Sequence, residues 1–135
     1  MNIGQVSKRI GISSKMIRYY ESVGLLPQVE RSSAGYRMYR EKHIETLQFI
    51  LHAKTLHFST EQMKYLLQLW QNQTRHSADV KAFAQAHIIK LNTQIQQLEG
   101  MVALLKQAVD GCAGNTSSDC PILDKIALGT SHTKL

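Results

Sequence analysis

The stretch Ile3-Gly4-Gln5-Val6-Ser7-Lys8-Arg9-Ile10-Gly11-Ile12-Ser13-Ser14-Lys15-Met16-Ile17-Arg18-Tyr19-Tyr20-Glu21-Ser22-Val23-Gly24 decides the fold. Ile3, Val6 and Ile10 fall on one helical face, and Gly11 stops that helix. Ser13 or Ser14 then caps a second helix that runs to Val23, where Gly24 ends it and Pro27 prevents its continuation. Two short helices joined by a tight glycine-containing turn make a helix-turn-helix. On the second helix Ile17 faces inward. Lys15, Arg18 and one or both of Tyr19 and Tyr20 project outward, where cationic and phenolic groups reach phosphates and base edges in a major groove.

Charge supports that reading. The net charge is +6. Residues 1–75 hold 11 Lys/Arg against 5 Asp/Glu, whereas residues 76–135 hold 5 of each. All the excess positive charge lies in the first half, which suits a polyanion-binding module followed by a neutral one. After the second helix, Glu30-Arg31-Ser32-Ser33-Ala34-Gly35-Tyr36-Arg37-Met38-Tyr39 places a small-residue turn between two short strands. Arg31, Arg37 and Arg40 gather there with Tyr36 and Tyr39, the composition of a wing that lies along a nucleic-acid backbone.

Helix resumes at Glu41, with Ile44, Leu47, Ile50, Leu51 and Leu56 as an apolar stripe and Lys54 late in the helix. Ser59-Thr60-Glu61-Gln62 is a capping box that opens a further helix through Met63, Leu66, Leu67 and Trp70. Ser77 is expected to cap a last long helix, with Asp79 in its first turn. There Ile88, Leu91, Ile95, Leu98, Val102, Leu105 and Val109 alternate spacings of three and four. This is a coiled-coil seam, on a helix about 50 Å long at the ordinary helical rise. With no second long helix in the chain, the seam predicts a homodimer.

Beyond that helix lie Cys112 and Cys120, with seven small or polar residues between them. Pro121-Ile122-Leu123-Asp124-Lys125-Ile126 follows as a short helix with proline at its first position. Two thiolates with no third ligand suit a soft ion of low coordination number. Bound to Cu(I), Ag(I) or Au(I), they would leave one negative charge, which the N-terminus of the short helix stabilises. Zn(II) prefers about four ligands. No apolar run approaches the roughly 20 residues of a membrane span, and no signal peptide is visible at the N-terminus. A cytoplasmic, reducing location is therefore expected, in which the cysteines are thiols. No nucleophile–base constellation, phosphate loop or carboxylate pair points to an enzyme. Alternatives are a thiol redox sensor, a metal-buffering protein, a sensor of another soft metal, and a sensor of an organic ligand. The last would need an aromatic pocket, yet Phe83 is the only aromatic after Trp70.

The order helix-turn-helix, wing, two helices, long dimer helix and thiol loop resembles the MerR family of bacterial transcription regulators. The likeness is carried by Ile17-Arg18-Tyr19-Tyr20-Glu21, Gly24-Leu25-Leu26, Arg31, Gly35-Tyr36-Arg37 and Tyr39, and covers residues 1 to about 127. The Cys-x7-Cys loop before Pro121-Ile122, together with Arg75-His76-Ser77-Ala78-Asp79-Val80-Lys81, resembles the copper-efflux regulator branch. The resemblance implies a mainly α fold: a winged helix-turn-helix domain over 1–75, a dimerisation helix over 76–110, a metal loop with short helix over 111–127, and a disordered tail over 128–135. It implies DNA contacts from Lys15, Arg18, Tyr20, Arg31, Tyr36, Arg37 and Lys54, and metal ligation by Cys112 and Cys120. It further implies that the dimer bends and untwists a promoter with an overlong spacer, so that RNA polymerase reads it when metal is bound. Divalent sensors of the family carry a partner-subunit cysteine where this chain has Ser77, which implies selectivity for monovalent ions. His76 is the nearest substitute ligand and reads as a surface or capping residue. Another departure is His57, which stands where the family usually has glycine, so the hinge there is expected to differ. The tail offers only His132 as a ligand, too little for a second metal site.

Overall fold

Local hydrogen bonds set the boundaries of the first helices. Asn2 and Gln5 cap α1 (Ile3–Ile10) reciprocally, each side chain accepting from the other's amide at 2.9 Å, and Gly11 ends it at φ +83°. The Ser7 hydroxyl donates to the Ile12 carbonyl and so ties the turn to the helix. Ser13 caps α2 (Ser14–Ser22) by accepting from the Met16 amide at 3.1 Å. These are the expected helix-turn-helix limits, in a computed structural model that describes residues 1–116 and 118–129. The tail expected over 128–135 falls outside the described residues from 130 onward, as does His132.

The wing is a two-stranded antiparallel ribbon of β1 (Glu30–Arg31) and β2 (Arg37–Met38), pairing Glu30 with Met38 and Arg31 with Arg37. Its turn closes through Ser32, whose amide donates to the Tyr36 carbonyl at 2.7 Å and whose carbonyl accepts from the Gly35 amide at 2.9 Å. Gly35 sits at φ +87°, a left-handed conformation that a side chain would strain.

Next come α3 (Glu41–Thr55) and α4 (Thr60–Gln71). The Ser59–Gln62 capping box forms as the sequence predicts, with bonds of 2.8 and 3.2 Å. Ile44, Leu47 and Ile50 are buried, and so are Met63 and Leu67. They meet Val6, Ile17, Tyr20, Leu25 and Leu26 in one core. Removing a fully buried Leu47 side chain would cost about 2–5 kcal/mol. Leu56 does not belong to the stripe: it caps the C-terminus of α3 and is exposed, because the helix has already ended.

The long helix α5 spans Ser77–Asp110. Ser77 is its first helical residue rather than its cap, and the His76 carbonyl accepts from the Asp79 amide at 3.0 Å. The chain forms two compact units, Met1–Phe83 and Ala84–Leu135. The first therefore reaches past residue 75 into α5. The physical reason is Phe83, which stacks on Phe58 at 6.0 Å and lies 4.8 Å from the Tyr65 ring. In the second unit, α6 (Pro121–Leu128) follows the thiol loop. The seam residues Ile88, Ile95, Leu98, Val102, Leu105 and Val109 are each about half exposed in the single chain. Ile95, Leu98 and Val102 line an apolar groove.

Candidate nucleic-acid interface and metal centre

On α2, burial separates two faces. Ile17 and Tyr20 are buried, three residues apart. Lys15, Arg18, Tyr19 and Ser22 are exposed and fall at i, i+3, i+4 and i+7, forming a single stripe. Lys15 and Arg18 thus stand where the sequence places them. Tyr20 does not: its ring is 3 % exposed and its hydroxyl is buried. It is a core residue, one helical turn from Ile17, so the direct contact expected of it is corrected. Tyr19, 46 % exposed, presents the phenol on the outer face. The i, i+3 spacing from Ile17 was the available signal.

The wing carries the remaining groups. Tyr36 projects at 72 % exposure. Arg31 is exposed and donates from Nη1 to the Gly35 carbonyl at 3.0 Å. Arg37 is half-buried and donates from Nε to Oε2 of Glu21 at 3.0 Å, linking the wing to α2. Tyr39 is buried behind them, and its phenol pKa is raised by burial and then by Glu21. Arg37, Arg18 and Arg31 pull it the other way, so all three guanidinium groups act on this one phenol. The Arg37–Glu21 bond joins the wing to α2, whose outer face carries Lys15 and Arg18. Lys54 is exposed in the last turn of α3.

Two further ion pairs tie elements of this unit together. Arg9 forms a two-pronged bridge to Glu41 at 2.6 and 3.2 Å, which holds the Glu41 carboxyl below its usual range. Arg40 reaches Glu30 at 2.7 Å, so this arginine is committed within the wing. These pairings link residues far apart in sequence, and no local pattern announces them.

At the other functional locus, Cys112 lies one residue beyond the turn that ends α5, its amide donating to the Val109 carbonyl at 3.0 Å. Cys120 is the N-cap residue of α6, with Pro121 at the first position, and its own side chain makes no capping bond. Both cysteines are free thiols of intermediate burial. The loop's ends are close: a β-carbon on Gly111 would lie 3.6 Å from Cγ of Pro121. The chain neighbours of the two cysteines therefore pack together. Among the described residues no cluster of three or more His, Cys, Asp or Glu side chains is placed to hold a metal. Ser77 and His76 are exposed.

A family model described as "MerR HTH family regulatory protein" matches residues 1–70, and one described as "MerR, DNA binding" matches residues 44–108. The chain belongs to the MerR family. It is 44% identical over 135 residues to "Heavy metal-dependent transcription regulator 2" of Rhizobium meliloti (strain 1021), covering all of this chain and 92% of that one. Against the regulator CueR of Salmonella typhi identity is 37% over 134 residues, covering 99% and 96%. Its structure is similar to that of PbrR691 from Ralstonia metallidurans CH34, solved in complex with lead(II), with a TM-score of 0.79 and 30% identity. That match covers 93% of this chain and 98% of the other. The MerR-family assignment makes this a DNA-binding transcription regulator and not an enzyme. Among the described residues no helix is long and apolar enough to cross a membrane.

Proposed function

We propose that this MerR-family regulator is a cytoplasmic homodimer that activates metal-detoxification genes in response to Cu(I), with Ag(I) and Au(I) as further inducers. The observation that carries the reading is the thiol loop. Two free cysteines lie just inside Gly111 and Pro121, which pack together at the N-terminus of α6. Cys112 and Cys120 would hold the ion as thiolates, and the partial positive charge of the α6 N-terminus offsets the negative charge left on the pair. A monovalent soft ion held by Cys112 and Cys120 would tie the two ends of the loop to each other. The exposed apolar seam on α5 supports the dimer, because Leu98, Val102 and their neighbours gain a covering only from another helix. The names of the heavy-metal-dependent and CueR relatives support the sensing role.

On the DNA side, Lys15, Arg18, Arg31, Tyr36, Arg37 and Lys54 would contact promoter DNA, with Tyr19 in place of Tyr20. Distortion of an overlong promoter spacer, read by RNA polymerase, is an indirect-readout mechanism whose energy depends on the sequence deformed. Ser77 in place of a cysteine supports monovalent selectivity, and Ser77→Cys should admit Zn(II) or Hg(II).

The test is transcription from the cognate promoter with Cys112→Ser and Cys120→Ser. Each variant should lose metal-induced transcription and keep operator affinity. A full metal response in either would sink the reading, and induction by oxidant without copper would favour a thiol redox sensor. X-ray absorption on the metal-loaded chain should show two sulfur ligands.

A further inference from the structure

We propose that Glu21 is a positioning residue for DNA recognition, setting the Arg37 guanidinium of the wing in register with the exposed stripe of α2. The inference deepens the DNA-binding reading above and rests on it.

The wing carries an electrostatic cost. Arg31 and Arg37 are direct cross-strand partners, and like charges opposite one another destabilise a ribbon this short. Each has an internal acceptor. Arg31 donates to the Gly35 carbonyl of its own turn, whereas Arg37 donates to Glu21 on another element, sixteen residues away. Glu21 sits on α2 among the inward-leaning residues, three positions after Arg18 and one after buried Tyr20. Its side chain and that of Arg37 are 21 % and 29 % exposed, against 48–71 % for the side chains in the Arg9–Glu41 and Arg40–Glu30 pairs. Partial burial screens this pair least.

The bond uses Nε alone. A guanidinium held that way keeps the donors of both Nη atoms for another acceptor. Glu21 therefore orients Arg37 without consuming it. Glu21 also acts on the Tyr39 phenol together with Arg18, Arg31 and Arg37, as the acid within a set of three arginines. A lone carboxylate beside a polyanion-binding surface should weaken binding by repulsion. Its use as an anchor offsets that loss when the arginine must arrive at one fixed place, which matters for a selected sequence and not for duplex DNA in general.

The experiment compares the 135-residue chain with Glu21→Gln and Glu21→Asp, and with Arg37→Ala in parallel. Two duplexes are used: one selected from a random pool by the wild-type chain, and a scrambled duplex of the same composition. Affinity is measured by fluorescence anisotropy over a salt series, and folding is checked by thermal denaturation. Glu21→Gln should weaken the selected duplex by about tenfold, the scale of a charged hydrogen bond. Binding to the scrambled duplex should hold or tighten. An unchanged ratio between the two duplexes overturns the proposal, whether both affinities fall together with stability or rise together from lost repulsion. Glu21→Asp, which retains the charge but shortens its reach, is judged by the same ratio if Glu21→Gln does not fold. An Arg37→Ala variant that binds the selected duplex like wild type would overturn the assignment of Arg37 to the DNA interface itself.

Discussion

Replacing His57 with glycine should stabilise the first unit, although it removes a side chain. His57 lies just past α3, with its amide donating to the Lys54 carbonyl at 3.0 Å and the Phe58 amide donating to the Ala53 carbonyl at 3.3 Å. These bonds close the helix end with His57 at φ +64°, the one non-glycine at positive φ among the described residues. A β-carbon in that conformation costs about 1–2 kcal/mol. Glycine relieves it but brings a freer unfolded chain, which offsets about 0.5–1 kcal/mol. The balance is a gain of about 0.5–1 kcal/mol. For a unit of this size that raises Tm by about 3–6 °C. His57→Ala keeps the β-carbon and should sit within about 0.5 kcal/mol of wild type. The assay is urea or thermal denaturation of both variants at one fixed protomer concentration, since the proposed dimer would make apparent stability depend on it. Strain at the β-carbon would be refuted if His57→Gly proved no more stable than wild type, or if His57→Ala gained as much as His57→Gly.

Other outcomes follow from groups described above. His43 is buried, its Nδ1 accepting from the Arg40 amide at 2.9 Å, and burial depresses its pKa below the usual imidazole range. The unfolded chain binds that proton first, so stability should be full above about pH 6.5 and decline as pH falls below it toward the depressed folded value. His43→Gln, which keeps an acceptor at the third helical position, should flatten that part of the pH–stability curve measured by urea titration. Leu98→Glu places a charge in the exposed seam of both copies and should raise the dimer dissociation constant at least about a hundredfold by analytical ultracentrifugation. An unchanged dimer would remove the seam from the interface. Lys54→Ala should weaken selected and scrambled duplexes alike and lower the salt slope by about 0.9, the mark of one phosphate contact. A loss confined to the selected duplex would make Lys54 a base reader instead.

The elements were legible in the sequence because their boundaries are local. Ser13 and Ser59 accept from amides three residues on, Gly11 donates to the Ser7 carbonyl, Pro121 fixes φ at the first position of α6, and the observed helices start and stop at those positions. The cationic stretch of α2 and the thiol loop were legible for the same reason. Their chemistry is carried by neighbours in the chain, and family likeness assigned the roles. Ser77 entering the helix rather than capping it, and Leu56 lying beyond its stripe, are one-residue differences at helix ends, where propensities are weakest.

What the sequence by itself determined is therefore the order of the elements, the family, and which residues have the chemistry to meet DNA or a soft metal. Only the tertiary structure decided which of two adjacent tyrosines faces out, which acid holds Arg37, and that His43 is buried while His57 is forced to positive φ. The reason is physical. A cap or a turn is settled by hydrogen bonds within one helical turn, whereas burial and ion pairing depend on elements brought together from far apart in the chain. Glu21 meets Arg37, and Tyr20 turns inward, only once the wing and the core have packed against α2.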